Sequence, residues 1–107
     1  MKVLKFGGAI VGSAEHLKKV KSIVEAEKNP IVVVSAMDGV TDLLEEIVEE
    51  ASTGDSKSII SRYEDLKTRH TELARQVVPA DSQSAALSEL NRLYAEMDSM
   101  LQALTIF

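Results

Sequence analysis

Lys2-Val-Leu-Lys-Phe-Gly-Gly8 is the stretch of sequence on which the fold depends. Residues 2–6 predict a short strand, because most of their side chains are apolar and two glycines follow at once. A strand that leads through a glycine loop into a helix is how α/β proteins present backbone N–H groups to a phosphate. Lys5 adds a positive charge beside the glycines. The alternative is a tight turn without a ligand, and this loop alone does not decide between the two.

The segments that follow predict a βαβ unit. Ser13 is suited to cap the start of an amphipathic helix that runs to about Lys28, and Asn29-Pro30 ends it. Residues 31–34 are four consecutive β-branched residues without alternation, which predicts a strand covered on both faces, as in a parallel sheet. The carboxyl ends of the two strands lead into the glycine loop and into Ser35-Ala36. Both ends then lie at one edge of the sheet, where open α/β sheets bind ligands.

The rest of the chain is predicted to be helical. One helix follows the polar loop of residues 35–42, and two more are separated by Val78-Pro79. Ser82 or Ser84 is suited to cap the last helix. The apolar stripes of the last two helices predict an antiparallel hairpin. His70 lies on one of these stripes, and we interpret it as a packed or edge histidine rather than a ligand.

Composition argues against several classes of function. The chain has 17 acidic and 12 basic residues and a net charge of −5, and the scattered cations argue against a nucleic-acid surface. The absence of cysteine excludes disulfides, thiolate catalysis and cysteine metal sites. No apolar segment has the length of a signal peptide or a membrane span, so we predict a cytoplasmic protein without a membrane partner. The apolar end, residues 104–107, predicts a chain cut from something longer.

Two motifs in the chain resemble signatures of the aspartokinases. The opening stretch, residues 2–8, is similar to their KFGGTSV signature, and Val33-Val-Ser-Ala-Met-Asp-Gly-Val-Thr-Asp42 looks like their VVSAMxGVTD-type signature. The similarity continues more loosely through the helices. The resemblance implies an α/β fold that is the βαβ start of the three-layer α/β/α domain of amino-acid kinases. Residues 1–54 would form a βαβα unit and residues 55–107 a helical hairpin of one partial catalytic domain.

The resemblance also implies an activity and a set of site residues. Aspartokinases phosphorylate the β-carboxylate of L-aspartate with Mg-ATP, in the biosynthesis of lysine, threonine and methionine. By resemblance, Lys5 is the catalytic residue that contacts the ATP phosphates, and Gly7 and Gly8 supply backbone donors around them. Ser35 and Thr41 match residues that hold aspartate, and no residue of this chain is assigned to the metal. These residue types suit phosphoryl transfer, which depends on positioning and charge neutralisation. A helix cap is the alternative role for Thr41.

Departures from the signatures bear on the activity. Ala9-Ile10 stands where the first signature has Thr-Ser, so two hydroxyls are absent and a stiff branched side chain replaces a small polar one. Asp38 occupies the variable position of the second signature and places a carboxylate near an anionic site. The later substrate and nucleotide segments of the family, and its regulatory domains, have no counterpart in residues 1–107. We therefore expect weakened catalysis from this loop and no activity from this chain alone.

Other functions stay open at this point. One is a non-catalytic helical dimerisation module built on residues 57–105, which the change at Ala9-Ile10 favours. Another is a different amino-acid-kinase-fold enzyme that acts on another carboxylate or a carbamate. Nothing in the sequence separates a monofunctional aspartokinase from one fused to homoserine dehydrogenase. An uncovered sheet edge predicts self-association, so we expect a homo-oligomer formed through the helices or through that edge.

Overall fold

The computed structural model describes residues 1–54 and 56–106. The chain forms two compact units, Met1–Thr41 and Asp42–Phe107. The predicted division at residue 54 within one partial domain stays a prediction. The elements in chain order are β1 (Val3–Phe6), α1 (Gly8–Val11), α2 (Ala14–Glu25), β2 (Ile31–Val34), α3 (Val40–Thr53), α4 (Ser56–Val77) and α5 (Ala80–Ile106).

The first unit contains the βαβ unit that the sequence predicts. β1 and β2 pair in parallel, with Val3 opposite Ile31 and Phe6 opposite Val34. The backbone pairing continues past the strands, because the Ser35 N–H donates to the Phe6 carbonyl at 3.1 Å. The two strands therefore end side by side, and the segments that follow them begin at the same edge. An α/β start is confirmed, while the three-layer domain stays a prediction.

The helix between the strands begins as predicted and ends earlier. The Ser13 hydroxyl accepts from the His16 backbone N–H at 3.2 Å, which is the predicted cap. α2 ends at Glu25 and not near Lys28, and the chain then turns through Asn29, whose φ is 49°. Asparagine tolerates this left-handed conformation better than most residues do. The short helix α1 is absent from the sequence prediction, because four residues are too few to show helical periodicity.

The environment of β2 corrects a prediction. All four of its residues are exposed, with Ile31 at 48% and Val34 at 60%, so the strand is not covered on both faces. β-branched side chains favour extended backbone through their own stiffness as well as through burial. The run of residues 31–34 therefore predicts the strand correctly, but the prediction that both faces of the strand are covered is wrong.

The second unit contains the predicted antiparallel hairpin. Its buried apolar residues come from all three helices and are Ile47, Ala51, Ile59, Tyr63, Leu66 and Leu101. The Tyr63 hydroxyl donates to the Tyr94 carbonyl at 2.6 Å, and the Tyr94 hydroxyl donates to the Lys67 carbonyl at 3.1 Å. At the turn, the Gln83 amide donates to the carbonyls of Arg75 and Val78. These bonds join α4 and α5 from the middle of the hairpin to its turn.

Two details of the hairpin qualify the sequence analysis. The predicted caps Ser82 and Ser84 are wrong, because α5 already begins at Ala80 and both serines lie inside it. Pro79 directly precedes the helix, and its carbonyl accepts from the Ser82 N–H at 2.9 Å. His70 is half-buried and its Nδ1 lies 2.7 Å from the Leu66 carbonyl, in agreement with a packed histidine.

Candidate functional site

Lys5 supplies a cation at the end of the sheet that bears the motifs. In β1 the residues alternate, so that Lys5 is exposed while Leu4 and Phe6 are half-buried on the other face. Among the residues that the structure describes, Lys5 makes no ion pair, whereas Lys2 pairs with Glu27 at 3.0 Å. The Lys5 ammonium group is therefore available to an anion.

The glycines after β1 form loop 1, which we define as Gly7–Gly8. The Gly7 carbonyl accepts from the N–H groups of Ile10 and Val11 at 3.1 and 3.2 Å, and this closes the single turn of α1. A Cβ built on Gly7 would meet nothing within 4 Å, so the space above this residue is open. Gly7 thus leaves its backbone accessible to a ligand.

The second motif follows β2 as loop 2, which we define as Ser35–Gly39. Gly39 has a φ of 82°, and the Val40 N–H donates to the Met37 carbonyl at 3.0 Å. This is a four-residue turn whose third residue must adopt positive φ, which glycine does without strain. The sequence pattern predicts only a polar loop here, although the Asp38-Gly39 pair is a recognised turn signal.

A backbone hydrogen bond joins the two loops. The Asp38 N–H donates to the Gly8 carbonyl at 3.1 Å. A Cβ built on Gly8 would lie 2.7 Å from the Ala36 carbonyl oxygen, so the two loops are in direct contact there. The structure therefore brings together the two motifs that the sequence analysis singled out.

The two predicted substrate-binding hydroxyls belong to the same unit. Ser35 and Thr41 are both exposed, and neither hydroxyl has a hydrogen-bond partner in the described part of the chain. Thr41 is the second residue of α3, so the cap position falls to Gly39 and the role of helix cap does not apply to Thr41. The joint role of Lys5, loop 1 and these hydroxyls in one site stays a prediction.

The described residues differ in how well they suit the two parts of Mg-ATP, which are the phosphates and the metal ion. The free ammonium group of Lys5 and the open backbone at Gly7 suit a phosphate. Within residues 1–54 and 56–106, no group of three or more histidine, aspartate or glutamate side chains is arranged to hold a metal ion. These residues therefore fit a phosphate group and supply no metal centre of their own.

Comparison with known proteins places the chain in a family. A sequence model described as the amino acid kinase family matches residues 1–105. The chain belongs to the amino acid kinase family. The resemblance of its motifs to aspartokinases is also confirmed, because its relatives among curated proteins carry that name.

Three of these relatives show the extent of the similarity. Two are bifunctional aspartokinase/homoserine dehydrogenases of Arabidopsis thaliana named chloroplastic, 31% and 33% identical over 106 residues, which is 97% of this chain and 12% of each relative. The third is an aspartokinase of Chlamydia muridarum, 37% identical over 75 residues, which is 70% of this chain and 16% of the relative. This amino acid kinase chain thus spans a small part of the relatives it matches, and they include proteins named as bifunctional and one named only as an aspartokinase.

Among the described helices, none combines the length and the apolar character that crossing a membrane requires.

Proposed function

We propose that this amino acid kinase chain supplies substrate-binding elements of an aspartokinase, which transfers the γ-phosphoryl group of ATP to the β-carboxylate of L-aspartate in amino-acid biosynthesis. The names of the relatives support this substrate. The observation that carries the proposal is the hydrogen bond from the Asp38 N–H to the Gly8 carbonyl, because it holds the phosphate-binding and aspartate-binding motifs against each other. We further propose a cytoplasmic location and a homo-oligomer.

The residues divide between the two substrates. An oxygen of the aspartate β-carboxylate attacks the γ-phosphorus, the bond from that phosphorus to the bridging oxygen breaks, and ADP leaves. Lys5 neutralises charge on the phosphates, and Gly7 and Gly8 offer backbone donors to them. Ser35 and Thr41 hold the aspartate through their hydroxyls. Mg2+ that arrives with ATP supplies further charge neutralisation on the phosphates.

The loop sequence and the size of the chain limit the activity that we propose. Ala9 and Ile10 are exposed beside loop 1, where the first signature has two hydroxyls. The chain also covers only 12% of the plant relatives. We therefore propose that the isolated chain binds substrates weakly and does not turn over.

The test is ligand binding and aspartate-dependent ADP release by the purified chain, with Lys5→Ala as the variant. Lys2→Ala is the matched control, because Lys2 also lies at β1 but pairs with Glu27. We expect no ADP release, and ATP binding that Lys5→Ala weakens by about tenfold while Lys2→Ala leaves it unchanged. Turnover that Lys5→Ala abolishes would overturn the proposed inactivity. Equal ATP affinity in both variants would overturn the role of Lys5.

A helical dimerisation module is the second candidate function. Leu93, Met100 and Leu104 on α5 are 45%, 65% and 42% exposed, and their spacings of seven and four residues put them on one face of the helix. This function needs no bound nucleotide. Self-association together with no binding of ATP or aspartate would favour it over the kinase.

A further inference from the structure

The two glycines of loop 1 occupy different surroundings. A Cβ at Gly7 would meet nothing within 4 Å, and the backbone of Gly7, with φ −78° and ψ 171°, is open to any residue. A Cβ at Gly8 would lie 2.7 Å from the Ala36 carbonyl oxygen and 3.2 Å from the Asp38 nitrogen. Real side chains essentially never approach backbone as closely as the first of these distances. Gly8 therefore permits a contact that Gly7 does not make.

Loop 2 has little freedom to move away from Gly8. At its start, the Ser35 N–H is bonded to the Phe6 carbonyl. At its centre, Met37 is 8% exposed, and the Met37 carbonyl accepts the bond that closes the turn at Gly39. Ala36 lies between these anchors. A side chain at position 8 must therefore strain loop 2 or break the bond that joins the loops.

We propose that Gly8 is a positioning residue, whose missing side chain lets loop 2 lie against loop 1 and so sets the place of Ser35 relative to Lys5. The inference rests on the proposed function, in which Ser35 holds aspartate and Lys5 contacts phosphate. It differs from the role implied by the family signature, in which Gly8 serves the nucleotide through its backbone N–H. An alanine at position 8 keeps that N–H and changes only the contact with loop 2.

The first test compares Gly8→Ala with the control variant Lys2→Ala by calorimetric titration with L-aspartate and with ATP. We expect Gly8→Ala to weaken aspartate binding by about tenfold and ATP binding by much less, since the clash falls on loop 2. Lys2→Ala should leave the binding of both ligands unchanged, because Lys2 lies outside both loops and pairs with Glu27. If Gly8 had a merely structural role, Gly8→Ala would weaken the binding of ATP and of aspartate by similar factors. Equal losses for ATP and aspartate in Gly8→Ala, or an unchanged affinity for aspartate, would overturn the inference.

A second pair of variants covers the case in which Gly8→Ala does not fold. Asp38→Pro removes the N–H that bonds to Gly8, and proline is favoured at the second position of a turn with glycine third. Asp38→Ala removes the same carboxylate and keeps the N–H. We expect only Asp38→Pro to weaken aspartate binding, by about fivefold for the loss of one hydrogen bond. Identical affinities in this pair would contradict the inference.

Amide exchange separates failure of the inference from failure of the proposed function. We expect Gly8→Ala to speed hydrogen exchange at the Asp38 amide by at least about tenfold, and Lys2→Ala to leave it unchanged. If the wild-type chain binds neither ligand, the proposed function fails, while this readout still tests the contact. Unchanged exchange at Asp38 in Gly8→Ala would overturn the coupling of the loops directly.

Discussion

Gly54 shows at the scale of one residue how backbone conformation alone decides the cost of a substitution. It has a φ of 83°, and a Cβ there would meet nothing within 4 Å. Gly7 has equally open space and a φ of −78°. The two glycines therefore differ in conformation and not in crowding.

We predict that Gly54→Ala lowers the free energy of unfolding by about 1 kcal/mol, because alanine is strained at positive φ. Gly7→Ala should change the free energy of unfolding by less than about 0.5 kcal/mol in either direction. Urea unfolding followed by circular dichroism measures both. Similar losses in the two variants would show that conformation is not the cause.

Tyr63 is a residue whose ionisation depends on the fold. It is 6% exposed, and its hydroxyl donates to the Tyr94 carbonyl. Burial, followed by the nearby Asp98 carboxylate, raises the pKa of Tyr63 above its ordinary value of 10.0. The folded state thus keeps the proton at a pH where the unfolded state has released it.

We predict that the free energy of unfolding of the wild type falls as the pH rises above about 10, because only the unfolded state gains from ionisation there. Below that pH, Tyr63→Phe should be less stable by about 1 kcal/mol, through loss of the hydrogen bond. Above that pH, the difference in the free energy of unfolding between the wild type and Tyr63→Phe should become smaller. Unfolding curves of both proteins at several pH values test this. A constant difference across the range would contradict it.

At the scale of an element, α2 shows that one hydroxyl has opposite effects at different positions of a helix. Ser13 caps the helix by accepting from the His16 N–H, whereas Ser22 lies inside and donates to the Lys18 carbonyl at 3.3 Å. The cap satisfies an N–H that has no acceptor within the helix. The Ser22 hydroxyl, in contrast, donates to a carbonyl that already accepts a backbone hydrogen bond within the helix.

We predict that Ser13→Ala lowers the free energy of unfolding by about 1 kcal/mol. Ser22→Ala should leave it unchanged or raise it by up to about 0.5 kcal/mol, because alanine is the better helix former. The two variants differ only in position, and urea unfolding distinguishes them. A loss of equal size at Ser22 would mean that the cap is not the source of the effect.

The α3–α4 pair shows a charged contact between elements of the second unit. Arg62 on α4 pairs with Glu46 and Glu50 on α3, and its Nε lies 2.9 Å from Glu50 Oε1. The hydrogen bond to Glu50 and the charges of both glutamates raise the pKa of Arg62. Because Arg62 stays in contact with solvent, salt screens this contact.

At the scale of the whole molecule, exposed apolar surface occurs on each of the predicted association surfaces. Val34 on β2 is 60% exposed and Met100 on α5 is 65% exposed. β2 also presents unpaired backbone along one edge, since the described sheet has only the strands β1 and β2. An unpaired edge of this kind is a template for pairing with a strand of another chain.

We predict that the chain self-associates through β2. Val34→Lys should shift it towards the monomer, because a lysine on an edge strand opposes pairing. Met100→Lys is the matched control at similar exposure and should leave association unchanged. Sedimentation equilibrium over a range of concentrations tests both. The reverse pattern would favour the helical module, and a wild type that stays monomeric at all concentrations would contradict the prediction.

The sequence by itself determined the elements and their order, apart from the four-residue helix α1. The strands at residues 3–6 and 31–34, the cap at Ser13 and the hairpin around Val78-Pro79 were all predicted within a few residues. Each depends on interactions between residues close in the chain, such as a cap bond over three residues or an apolar stripe along one helix. The two motifs also indicated the family that the comparisons confirm.

Only the tertiary structure decided how the segments meet. The exposure of β2 depends on which elements pack over its faces. The contact of Gly8 with Ala36 and Asp38 follows from the register of two strands that are distant in the chain. The pattern of neighbouring residues in the sequence does not specify that register, so the two glycines of loop 1 look equivalent in the sequence. In the fold, the space beside Gly7 is open to a ligand, whereas the backbone of loop 2 occupies the space where a side chain at position 8 would lie. The cause is parallel pairing, which brings the ends of both strands to the same place.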